Sequence, residues 1–258
     1  MRIARFTDGK STHFGRMTDD LLGVEVLSAD PLVEGVNPTG QVVAVDRVRL
    51  LPPVVPSKIV GIGKNYVDHI KEFDSVTPEE PLIFLKPSTS LIGHGETIVL
   101  PAWTEHVDHE AELAVVIGAV AKNVPLERVD EVIYGYTVGN DVSARDIQKR
   151  DGQWTRAKGF DTACPLGPWI VPGQDLDIEN LRVTATVNGE TRQSESTARM
   201  INPVRRLVSF VSQAFTLLPG DVILTGTPAG VSRIDDGDVV EVSVSGIGTL
   251  SNPVARTY

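Results

Sequence analysis

The residues with the most chemistry in them fall in two short stretches, HEAELAVVIG (residues 109–118) and YGYTVGNDVSARD (residues 134–146). The first carries Glu110 and Glu112, one residue apart, at the head of a long apolar run. In a strand, residues i and i+2 share a face, so these carboxylates would stand roughly 7 Å apart at the backbone, twice the strand rise. Like charges that close are unfavourable unless water or a cation lies between them. Alone, the pair reads as a solvated strand entrance. The second stretch is an apolar strand that ends in Asn140-Asp141. An aspartate there is ordinarily a turn former or a helix cap. As a third carboxylate, however, Asp141 would complete a hard, oxygen-rich site with positions left for water, which suits Mg2+ or Mn2+. No cluster of His or Cys points to zinc.

A possible acid–base pair lies upstream, in GKNYVDHIKEF. His69 and Glu72 are spaced i, i+3, which puts them on one face of a helix. A carboxylate there could orient an imidazole, the arrangement of a general base with its partner, although the same spacing also serves an ordinary exposed ion pair. Basic and polar groups follow Asp141: Arg145 and Gln148 in SARDIQ, then Lys158 in AKGFDT with Thr162 four residues later. In ILTGTPAGV a strand leaves into the Gly226-Thr227-Pro228 turn, and such turns can present backbone N–H groups to an anion. The single cysteine, Cys164, excludes an intramolecular disulfide and has no histidine nearby in sequence, so it reads as a small buried hydrophobe rather than a nucleophile.

The elements that must position these groups are mostly strands. RIARF, THFGRM, LLGVEVL and VVAVDRVRLL form a run of short strand candidates, closed by the proline-rich LPPVVPSK, where we place a boundary. Beyond it, KIVGIG and PLIFLKP read as strands, Asn188-Gly189 as a hairpin turn, and DVVEVSVSG as a cleanly alternating strand. The best helix runs from about Pro203 to Leu217, with Val204, Leu207, Val208, Val211 and Phe215 as its apolar stripe; a shorter one is expected over Leu126 to Ile133. Strands and helices do not alternate regularly, which argues against a doubly wound sheet and for an α+β, β-rich fold.

At 258 residues and 41% hydrophobic composition the chain can bury a substantial core. A formal charge of -10 argues against nucleic acid or an anionic membrane as a partner, but a metal or local cations can still reverse the sign inside one pocket. The N-terminus has no signal-like apolar stretch, and LAVVIGAVA is too short to span a membrane, so a cytoplasmic protein is expected.

Together these motifs resemble the fumarylacetoacetate hydrolase family. The segments that carry the resemblance are GKNYVDHIKE, LIFLKP, HEAELAVVIG, GNDVSARDIQ, AKGFDT, LGPW and LTGTPAGV, in the family's order, over residues 57–254. The resemblance implies a mixed β-sandwich roll, with a small N-terminal β module over residues 1–52 and the catalytic domain over 57–258. It implies a homodimer with one Mg2+ or Mn2+ per active site. Glu110, Glu112 and Asp141 would be the metal ligands. His69 and Glu72 would be the base and its partner, on a short segment that orders over the substrate. Lys158 would be the ammonium beside the metal, with Thr162 close by, and Arg145, Gln148, Gly226 and Thr227 would hold the substrate. Phe73 to Pro81 and Trp154 are the expected contacts for the substrate's tail. The enzyme that names the family has a further metal-binding aspartate seven residues before its histidine, where this chain has Ile62. The site is therefore more similar to the shorter branch acting on acylpyruvates and oxaloacetate.

The implied substrate is a small 2-oxo acid whose head chelates the metal, which would polarise the ketone and stabilise an enolate. The leading expectation is C–C hydrolysis of an acylpyruvate of the fumarylpyruvate type, oxaloacetate decarboxylation, or both. The alternative is a 2-hydroxyhepta-2,4-diene-1,7-dioate isomerase or 5-oxopent-3-ene-1,2,5-tricarboxylate decarboxylase of aromatic catabolism. An alternative of another class is a non-catalytic metal-binding homologue.

Overall fold

The computed structural model describes residues 1–74 and 76–256. Its strands follow the alternation of the sequence. Val240, Val242 and Val244 are buried, while Glu241 and Ser243 between them are only partly so. Asn188-Gly189 turns Arg182–Val187 back onto Glu190–Ser196, with φ of 53° and 81° at its two residues, left-handed values suited to Asn and Gly. These strands join Gly248–Arg256 and Ile98–Leu100 in a five-stranded sheet.

A twelve-stranded sheet carries the candidate site residues. Ala111–Ile117 lies between Ile133–Asn140 and Val222–Leu224, followed by Ile59–Gly63 and the edge strand Leu82–Lys86. Every residue of Ala111–Ile117 is buried, because the strand is paired on both edges and covered on both faces. That is why its sequence is a continuous apolar run. Leu113 and Val115 share a core with Val183, Ala185, Val242 and Leu250 of the five-stranded sheet. Ala114 and Val116 pack instead with Ile59, Leu166, Val222 and Leu224. The molecule is thus α+β and β-rich, two sheets packed around a shared core.

The expected long helix is Val204–Ala214, with Val204, Leu207, Val208 and Val211 buried in the main core. Burying four such side chains contributes on the order of 6–12 kcal/mol before the entropy of ordering them. The shorter expected helix is instead a 3-10 helix, Leu126–Glu131. Only Val129 is buried there, too little apolar surface to hold an α-helical face.

The N-terminal strands Ile3–Thr7, Thr12–Met17, Gly23–Leu27 and Pro38–Ala44 pair in sequence order over a small core of Ala4, Phe6, Met17 and Val24. Their sheet is continuous with the large one through the pairing of Ile3 with Ile170. Among the described residues no helix is long and apolar enough to cross a membrane.

Candidate active site

Antiparallel register builds the carboxylate cluster. Ala111 pairs with Asn140, so Glu110 and Asp141 face each other where both strands end. The Asp141 N–H donates to the Glu110 carbonyl at 2.9 Å, and the Glu110 N–H donates to Asn140 Oδ1 at 2.9 Å. One carboxylate oxygen from each of Glu110, Glu112 and Asp141 lies within 4.8 Å of the others, and all three residues are buried.

Three cations surround them. Lys158 Nζ donates to Glu110 Oε2 at 2.6 Å and to Asp141 Oδ2 at 2.8 Å. Arg145 Nη2 lies 2.6 Å from Glu110 Oε1, while its Nε donates to Asp108 Oδ2 at 2.7 Å and its Nη1 to Gln148 Oε1 at 3.0 Å. Lys86, at the end of Leu82–Lys86, donates to the other oxygen of Asp141 and is itself buried. Burial opposes the charge on Glu110, but Lys158 and Arg145 outweigh it and hold that carboxyl well below the usual range. Glu112 has no such partner. Burial, then Asp141 and Glu110, push its carboxyl well above the usual range, against the nearby charge of Lys158 and one hydrogen bond from the Gly226 N–H at 2.6 Å.

This arrangement fits a divalent cation. The donors are hard carboxylate oxygens at close range, and Glu112, whose protonated form burial and its neighbours favour, has no ion-pair partner among the described residues and would give up its proton to a bound cation.

His69 stands on the short helix Val67–Glu72. Its Nδ1–H donates to Glu72 Oε2 at 3.2 Å, an assignment forced by the carboxylate being an acceptor. Glu72 in turn accepts the Gly230 N–H at 3.1 Å. Among the described residues the His69 Nε2 has no hydrogen-bond partner. Burial lowers the affinity of the ring for a proton despite the nearby Glu110 and Glu72, so the imidazole is neutral at neutral pH. The Phe73 ring lies edge-on to His69 at 5.0 Å, and the Arg145 guanidinium sits 5.0 Å from the Phe73 ring centre.

A pocket of about 370 Å3 is lined by His69, Glu110, Arg145, Gln148, Lys158 and Thr227, with Phe73 and Trp154 at its walls. A larger cleft of about 920 Å3 between Tyr136, Met200 and Val204 contains none of these groups, so size alone does not mark the chemistry. Two residues expected at the substrate stand differently. Thr162, at φ 69°, accepts the Val99 N–H on its hydroxyl at 2.8 Å and does not line the pocket. The Gly226 N–H, expected to meet a ligand anion, is taken by the protein's own Glu112. Arg145 lines the pocket, but two of its three nitrogens are committed to Asp108 and Glu110. Of the stretch expected at the substrate's tail, Ser75 lies outside the described residues.

Sequence reasoning missed Lys86, Asp108 and Gln193. Lys86 had a signal: in LIFLK it shares the strand face of Leu82 and Phe84, an unusual place for an ammonium without a buried partner. Gln193 is the only fully buried residue of a strand otherwise polar and exposed or half-exposed, and nothing in its sequence marks it.

Residues 58–255 match the family model described as fumarylacetoacetate (FAA) hydrolase C-terminal, and residues 1–53 match one described as Rv2993c-like, N-terminal. The chain belongs to the fumarylacetoacetate hydrolase family of enzymes. This family member is 48% identical to 5-carboxymethyl-2-hydroxymuconate delta-isomerase from Mycobacterium smegmatis, whose crystal structure superposes with a TM-score of 0.93 over 100% of both chains. It is 42% identical over 218 residues to the mitochondrial oxaloacetate tautomerase Fahd2a of Rattus norvegicus, covering 81% of this chain and 70% of that one. At 28% identity and a TM-score of 0.83, over 100% of both chains, it resembles maleylpyruvate hydrolase from Sphingobium sp. SYK-6, solved with manganese(II) and pyruvate.

Proposed function

We propose that this family member is an Mg2+- or Mn2+-dependent enzyme that forms and reprotonates the enolate of a small 2-oxo dicarboxylate. The observation that carries the reading is one pocket lined both by a neutral, oriented imidazole and by Glu110, a member of the trio of buried carboxylates. A cation held by Glu110, Glu112 and Asp141 would draw electron density from the 2-oxo carboxylate head.

The chain's own groups do the rest. The free lone pair of His69 Nε2 takes a proton from the carbon beside the ketone, and Glu72 holds the ring in the tautomer that can do so. The Lys158 ammonium, kept charged by Asp141 and Glu110 against the cost of its burial, places positive charge where the enolate oxygen develops. Arg145, Gln148 and the Thr227 turn border the space for the rest of the substrate. Returning the proton to another carbon isomerises a dienoate; returning it to oxygen tautomerises a keto acid.

The isomerase and tautomerase names of the relatives at 48% and 42% identity favour this proton-transfer reading. Hydrolysis of an acylpyruvate is the second reading, favoured by maleylpyruvate hydrolase among the relatives; in it His69 would activate a water instead. Oxaloacetate decarboxylation would need the same enolate machinery and no nucleophile. The chain is further proposed to act as a homodimer in the cytoplasm.

The test is a panel of oxaloacetate, a 2-hydroxydiene dioate, fumarylpyruvate and maleylpyruvate, each with Mg2+, Mn2+ and EDTA, on the wild type and H69A. Tautomerisation or isomerisation should require metal and fall about 100-fold or more in H69A. Manganese affinity measured by calorimetry should stay within about threefold. Turnover of none of the four with either metal would sink the proposal, as would an H69A enzyme of normal proton-transfer rate.

A further inference from the structure

We propose that Gln193 is a positioning residue for the His69–Glu72 pair, acting at a distance through the turn over residues 226–230. The proposal rests on the reading of His69 as the base.

Gln193 comes from Glu190–Ser196, in the sheet that supplies no residue of the pocket, and is 1% exposed. Its amide orientation is fixed by two backbone groups. The Ala111 N–H donates to one end at 2.9 Å, so that atom is Oε1. The Pro228 carbonyl accepts from the other at 2.7 Å, so that atom is Nε2. The remaining valences follow. Oε1 also accepts His109 Nδ1–H at 3.1 Å, and Nε2 also donates to Thr227 Oγ1 at 2.8 Å. The Thr227 hydroxyl must then send its own proton to the Ala111 carbonyl, at 2.8 Å. A closed ring results, Gln193 to Thr227 to Ala111 and back, and Ala111 is the residue between Glu110 and Glu112.

The turn so clamped has a working contact at each end. At its start the Gly226 N–H holds Glu112. At its finish the Gly230 N–H holds Glu72, which orients His69. Among the described residues, that Glu72–Gly230 bond is the only side-chain hydrogen bond from the helix Val67–Glu72 to another part of the chain. Gly230 has no slack against the strand that bears Gln193: at φ +95°, a Cβ there would come within 2.1 Å of the Arg192 carbonyl oxygen. Gln193 therefore sets the height of the turn, and the turn sets where Glu72 rests. Glu110 and Asp141 have other supports in Asn140, Lys158 and Lys86, and the Gly226 end of the turn is tied separately through Thr225 to Leu113 and Asn65, so losing Gln193 should free the dyad before it disturbs the cluster.

The experiment uses the full chain with Q193M, and with T227V as the milder break should Q193M not fold. Hydrogen exchange is read over residues 67–73 and over 112–117, with and without Mn2+; the Ala111 amide, which loses its own acceptor, is left out. The expected result is roughly tenfold faster exchange in 67–73 and no change in 112–117, the scale of one or two lost hydrogen bonds. Manganese affinity should remain within about threefold, and kcat on whichever 2-oxo acid the wild type turns over should fall with KM little changed. Unchanged exchange in 67–73 would overturn the proposal. So would a rise spread equally over both segments, because it would make Gln193 a general tie between the sheets. If the wild type turns over no 2-oxo acid, the functional reading fails, while the exchange data still decide whether Gln193 governs the dyad.

Discussion

Replacing Lys86 with methionine isolates one charge in the buried cluster. The ammonium pairs with one oxygen of Asp141, and the side chain has no exposed surface. Methionine nearly matches its volume, so the change is electrostatic and leaves little cavity. Removing one partner of a buried ion pair costs about 3–5 kcal/mol. Here Lys158 still holds the second oxygen of Asp141, which places the loss at the low end, about 3 kcal/mol. For a chain of this size that corresponds to a fall of roughly 6–12 °C in melting temperature. The same deletion leaves the cluster more negative, so Mn2+ should bind more tightly to K86M than to wild type. Saturating Mn2+ should then recover part of the lost stability through linkage. Thermal denaturation with and without metal, together with calorimetric titration, reads both effects. A melting temperature within about 2 °C of wild type, or weaker Mn2+ binding by a folded K86M, would refute the charge account of this site.

Two further outcomes follow from the geometry. In G226A the new Cβ would meet Asn65 Cβ at 2.7 Å at a φ of +95°, so stability should drop by at least about 2 kcal/mol and Mn2+ binding should weaken as the displaced turn draws its N–H away from Glu112; wild-type values in urea denaturation and calorimetry would contradict this. His109 is pushed down to about 4, by burial above all. The unfolded chain therefore takes up a proton below its ordinary value of 6.5 while the folded chain does not, so stability present above pH 6.5 is lost as pH falls towards 4. Between pH 7 and 5, H109Q should lose about 2 kcal/mol less than wild type in urea unfolding, and equal losses would assign the acid sensitivity elsewhere.

The carboxylate trio was legible in the sequence because strand periodicity and a shared strand end suffice to bring Glu110, Glu112 and Asp141 together. The His69–Glu72 spacing was legible for the same reason, being local to one helix. Contacts between distant segments were not. Thr162 lies four residues from Lys158, yet its left-handed backbone turns the hydroxyl to Val99. Gln193 acts 82 residues from Ala111 because two sheets pack, and no local pattern encodes that packing. The N-terminal strands were legible as strands, but their union with the large sheet rests on the long-range pairing of Ile3 with Ile170.

The electrostatics of the site explain why these distant contacts are needed. On the proposed reading, a base that must accept a proton near neutrality has to stay uncharged beside carboxylates, and burial above all keeps His69 so despite Glu110, whose charge Lys158 and Arg145 pair. The proposed cation site instead needs a carboxyl with no protein ion pair, and Glu112 is that group: its proton, favoured by burial, would leave when a cation binds. Satisfying both within one buried pocket leaves Glu112 destabilising on its own, held by a single backbone donor from the turn. That same turn holds Glu72 at its other end. On the proposed reading, any movement that relaxes the strain on Glu112 therefore reaches the partner of the base, which would tie the charge state of the cluster to the geometry of proton transfer.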